Sequence, residues 1–77
     1  MEIFVITQSG TDIIPVLQKA GRNEDANILE YLGKADGATV EQVADAMHMN
    51  EKIVYNKLRS FSANRWVWQK KTKMTTF

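Results

Sequence analysis

Lys52, Tyr55, Asn56 and Arg59 fall within eight residues of one another and carry the most specific chemistry in the chain. At helical spacing they project from one side over two turns, opposite Val54, Leu58 and Phe61. An arginine can fork onto a guanine edge and an asparagine onto adenine, while a lysine and a tyrosine reach phosphates or a thymine methyl group. Downstream, Arg65, Lys70, Lys71 and Lys73 add cations that can lie along a phosphate backbone. A solvated helix face is the plain alternative for Lys52, Lys57 and Arg59, and Tyr55 can equally rest its ring on the protein.

Presenting those side chains requires two short helices with a tight break at His48, Met49 and Asn50. Val40, Val43, Ala44 and Met47 recur at i, i+3, i+4 and i+7, one face of a 3.6-residue period. Met49 is the apolar plug between the helices. Thr39 with Gln42 forms a capping box for the first helix, and Asn50 caps the second.

The order V-A-x-x-M-x-M-N-x-x-x-V-x-x-x-L-x-x-F over residues 43–61, followed by Arg65, Trp66, Val67 and Trp68, resembles the helix-turn-helix of winged-helix DNA-binding domains of the MarR-like type. The resemblance covers roughly the last two thirds of the chain. Ala44 matches the small residue where the helices touch. His48 stands where many members carry glycine, and a histidine accepts a left-handed backbone better than a β-branched residue would. The resemblance implies an α+β, mostly helical winged helix: a three-helix core, an additional N-terminal helix, and a small antiparallel sheet made by the N-terminal strand and the C-terminal wing.

Composition narrows the function classes. At 77 residues the chain makes one domain, which buries only about 60–65% of its unfolded surface. Residues 1–22 would form the N-terminal strand and extra helix, and residues 23–77 the helix-turn-helix core and wing. With no cysteine and one histidine, disulfides and thiolate or histidine metal sites are excluded, and no cofactor is implied. No apolar run approaches about 18 residues and residues 1–7 lack a basic flank, so no membrane span or signal peptide is expected and the location is expected to be cytoplasmic. The net charge of +1 hides an asymmetry: residues 1–50 carry three basic against eight acidic side chains, a net of −5, and residues 51–77 carry seven against one, +6. A polyanion on one face and water on the other accounts for that division.

Elsewhere, the β-branched and aromatic run at residues 2–7 predicts a strand, with Ser9 and Gly10 as its turn and the C-terminal aromatic strand as its partner. Thr11 or Asp12 is the expected cap of a helix over residues 11–20, with Pro15 in its first turn, an apolar stripe of Ile13, Ile14, Leu17 and Ala20, and Gly21 as its end. Asn23 should cap the next helix, with Glu24 and Asp25 favoured by its dipole, Ala26, Ile28, Leu29 and Leu32 inward, and Gly33 as the stop before a turn at residues 34–38. After Phe61 the helix should loosen at residues 62–64. Trp66 and Trp68 should share one face of the following strand, with Arg65, Val67 and Gln69 on the other and at least one tryptophan in the core. Residues 70–73 read as a basic turn and residues 74–77 as a short return strand, together a wing; Thr72 and Lys73 are poor residues for a two-residue hairpin, and the alternatives are a wider loop or, without the return strand, a flexible basic tail.

These features predict a sequence-specific duplex-DNA-binding protein, a small transcriptional regulator acting by site occupancy, and no enzyme: no nucleophile, base and orienting group occur together, and no Gly-rich phosphate loop is present. Many such regulators bind across two half-sites as dimers, so a homodimer is one expected state. The acidic, apolar first strand and residues 11–20 are the candidate self-association surface. The alternative is a protein-interaction module whose basic half docks an acidic partner, because one scaffold serves both uses. Exposed tryptophans also leave single-strand binding open.

Overall fold

The computed structural model describes residues 2–71. Six elements follow one another: β1 (Glu2–Ile6), α1 (Gln8–Lys19), α2 (Asn23–Ala35), α3 (Val40–Met47), α4 (Glu51–Ala63) and β2 (Val67–Lys71). Among the described residues the architecture is α+β and mostly helical, four helices with a two-stranded antiparallel sheet.

As expected, the N-terminal strand pairs with the aromatic one, in a register running from Glu2 opposite Lys71 to Ile6 opposite Val67. The far edge of β1 is also used, because Phe4 exchanges both backbone hydrogen bonds with Ala38, at 2.8 and 3.0 Å. With both sides of β1 engaged at Phe4, that strand does not offer a free edge there to a second copy. β2 continues through Lys70 and Lys71, so those residues extend the strand where a turn was expected. The proposed return strand and Lys73 lie outside the described residues.

The start of α1 departs from expectation. Thr7 caps the helix, accepting from the Gly10 amide at 3.0 Å, so Ser9 and Gly10 lie within its first turn and Thr11 and Asp12 are interior. The reason is tertiary. The Thr7 hydroxyl proton is shared between the Arg65 and Trp66 carbonyls, at 2.6 and 3.0 Å, and its amide donates to the Trp66 carbonyl at 3.0 Å. Gly10 is buried against that same carbonyl, where a Cβ has no room. Pro15 consequently falls inside the helix, on its exposed side, and withholds one helical amide there. Gly21, in the left-handed region at φ 79°, follows the helix.

Helix α2 begins after Arg22, which makes no side-chain cap, and Asn23 is its first residue. Gly33 does not stop it. Leu29 and Leu32 hold that turn in the core, and the helix runs to Ala35, where Asp36 turns left-handed at φ 56°. Ala26, Ile28, Leu29 and Leu32 are buried as expected.

The α3–α4 unit follows its sequence closely. Thr39 and Gln42 form the reciprocal capping box at 3.2 and 2.9 Å, and Asn50 accepts from the Lys52 amide at 2.8 Å. His48 adopts the left-handed turn at φ 55°. Val43, Ala44, Val54, Leu58 and Phe61 are buried in the core they share with Phe4, Leu17 and Val67, while Val40, Met47 and Met49 pack partly against it. Helix α4 continues to Ala63, capped by Asn64, without loosening after Phe61.

Candidate nucleic-acid interface

Burial of Val54, Leu58 and Phe61 orients α4 and leaves its opposite side in water. Lys52, Tyr55, Asn56 and Arg59 are all exposed, and no described segment covers them. Among the described residues none of Lys52, Arg59 and Arg65 is in an ion pair. Three of the four helix positions therefore present free cationic or amide groups. Tyr55 has a second duty: the Arg59 guanidinium carbon stands 5.8 Å from its ring centroid, a cation–π distance that lays the arginine along the helix surface.

The two flanks of this face differ. Toward the start of α4, Lys52 and Tyr55 line a cleft with Val40 and three carboxylates, Glu2, Glu41 and Glu51. Asp45, His48, Met49 and Asn50 form a neighbouring hollow with Glu41 and Glu51. Sequence position alone concealed this cluster, because Glu2 arrives from β1. On the other flank, Asn56, Ile53 and Ser60 share a groove with Arg22, Asp25, Lys57 and Phe61.

That second groove contains a polar network which sequence reasoning missed. Lys57 is no part of the solvated face. Its ammonium reaches the Asp25 carboxylate at 2.8 Å and Glu24 at 3.3 Å, with only 28% of its side chain exposed. Asp25, 6% exposed, also accepts from Arg22 through Nε at 2.9 Å and Nη2 at 2.6 Å. Burial pushes the Asp25 carboxyl upward, but hydrogen bonds from Lys57 and Arg22 outweigh it and hold the group below its ordinary range. The bond to Asp25 raises Lys57 above the usual ammonium range against the opposing effect of burial. Lys57 sits at the margin of the inward face and its partners lie more than thirty residues away, so spacing offered no signal.

The remaining predicted contact residues lie on β2 and in the turn before it. Arg65 is exposed and left-handed at φ 63°, and Lys70 is exposed on β2. Of Lys71 only the backbone pairing with Glu2 is described. The expected faces of the aromatic segment hold in part. Val67 enters the core, but Trp66 lies just before the strand and packs its ring on Phe61, centroids 5.5 Å apart, whereas Trp68 is 66% exposed.

Comparison with protein-family models, curated proteins and solved structures gives no match. Among the described residues no group of three or more His, Asp or Glu side chains is placed to hold a metal ion, and no helix is long and apolar enough to cross a membrane.

Proposed function

We propose that this chain is a small winged-helix protein that binds duplex DNA through the outward face of α4, acting as a transcriptional regulator by occupying its site. The observation that supports this most is the uncovered helix face, on which Asn56 and Arg59 stand exposed in successive turns while the apolar side locks the helix to α3. A helix held this way fits the major groove. Asn56 and Arg59 read base edges. Lys52, beside the acidic cleft, reaches phosphate at the rim, and Tyr55 steadies Arg59. Arg65 and Lys70 follow the flanking backbone, with Lys71 and Lys73 beyond them.

The test is selection of bound sequences from a random duplex pool, followed by Arg59→Ala on the selected site and on random duplex. A loss of about 1–3 kcal/mol confined to the selected site is expected. An equal loss on both would remove the reading role. Failure of the wild-type chain to bind random duplex at low salt and tens of micromolar would favour the protein-docking alternative.

A further inference from the structure

We infer that Trp68, flanked by Arg65 and Lys70, forms a stacking site for single-stranded nucleic acid, distinct from the base-reading face of α4 although it shares those two phosphate-facing cations with the proposed duplex complex. Among the described residues Trp68 is the most exposed large apolar side chain, at 66%, and the fold does not need it as filling, because Trp66 already supplies the aromatic contact to Phe61. An indole left in water offers a flat apolar plane on which an unpaired base can stack.

Its setting suits one class of ligand. Trp68 lies opposite Val5 in the sheet, and strand alternation puts Lys70 on the same face, two residues farther along. Beside it a cleft is lined by Thr7, Ser62, Arg65, Val67 and Gln69 together with Trp68. Among the described residues that lining carries a cation, hydroxyls and an amide and no carboxylate, in contrast to the three glutamates around Lys52 and Tyr55. An aromatic plane bordered by cations matches a chain of alternating bases and phosphates: a base stacks on the indole while Arg65 and Lys70 meet the phosphates on either side. Duplex DNA cannot use the indole in this way without unstacking, so the site selects unpaired bases.

The experiment titrates the full chain with a fifteen-nucleotide oligothymidylate and with random duplex, reading tryptophan emission and anisotropy of labelled nucleic acid. Quenching by the single strand is expected in the wild type and largely lost in Trp68→Phe, where Trp66 is the remaining reporter. Trp68→Ala should weaken single-strand binding about 5- to 100-fold while leaving duplex affinity nearly unchanged. Arg59→Ala should leave single-strand and random-duplex affinity nearly unchanged and weaken only the selected duplex site, so this site and the α4 reading can fail independently. Unchanged single-strand affinity in Trp68→Ala, or no wild-type binding at tens of micromolar, would overturn the inference. So would a dimer in sedimentation that Trp68→Ala dissolves, since a second copy would then cover the indole.

Discussion

Gly10 shows how a single residue can join two distant parts of the chain. In the first turn of a helix, glycine is replaced by alanine with a gain of up to about 1 kcal/mol on propensity alone. Here the sign should reverse. An added Cβ would collide with the Trp66 carbonyl oxygen and lie 2.8 Å from Ile6 Cγ1, and that carbonyl is fixed by Thr7. Gly10→Ala is therefore expected to destabilise by about 1–3 kcal/mol, read as a lower thermal midpoint. An unchanged or higher midpoint would mean that α1 does not dock against the start of β2. The pair Ser9-Gly10 reads as a turn in sequence because local chemistry favours one; the competing cap at Thr7 depends on carbonyls almost sixty residues away. His48 was legible by contrast, since its left-handed turn is enforced by the helix on each side of it.

At the scale of elements, the orientation of α4 rests on two attachments. Its apolar side meets α3 and the core, which periodicity disclosed through Val54, Leu58 and Phe61. Its flank is tied to the start of α2 by Lys57 and Asp25, which periodicity could not disclose. Removing the charge with Asp25→Asn should cost about 1–2 kcal/mol at neutral pH, a fall of roughly 4–16 °C in thermal midpoint for so small a domain. The pH dependence has a definite sign. A carboxyl lowered from 3.8 on folding contributes stability that is present above that value and fades as pH falls through the lower, folded value. An ammonium raised from 10.5 contributes fully below that value and loses its contribution as pH rises through the higher, folded one. The gap between wild type and Asp25→Asn should thus be widest between about pH 4 and 10 and close in acid. A gap that persists undiminished at pH 2 would show that the carboxylate charge is not what holds the helices together.

Across the whole molecule, the opposed charges of the two sequence halves do not become two clean hemispheres. Glu2 is carried by β1 to the strand that bears Lys70 and Lys71, and Asp25 neutralises Lys57, so folding interleaves what composition separates. The helix order, both strands, their pairing and the cationic face of α4 could be read from the sequence, because each depends on local pattern or on the need to satisfy a strand edge. The acidic cleft could not, since it is assembled by chain segments meeting in space, and which of the two tryptophans stays exposed is settled only by the packing of Trp66 on Phe61. With Lys57 paired and Arg59 on base edges, Lys52, Arg65 and Lys70 remain for phosphates, joined in the proposed complex by Lys71 and Lys73. Duplex affinity should then fall with salt at a log–log slope of roughly −4 to −5, and a slope near zero would remove phosphate contact as the source of affinity.

The central claim is that α4 meets duplex DNA with the side opposite Val54, Leu58 and Phe61. Amide chemical-shift mapping of the uniformly labelled chain on addition of duplex tests it residue by residue. The expected result is a contiguous set of shifts at Lys52, Asn56, Arg59 and Ala63, extending to Arg65 and Lys70, with the solvent side of α1 unmoved. Shifts centred on α1 and α2, or none at saturating duplex, would contradict it.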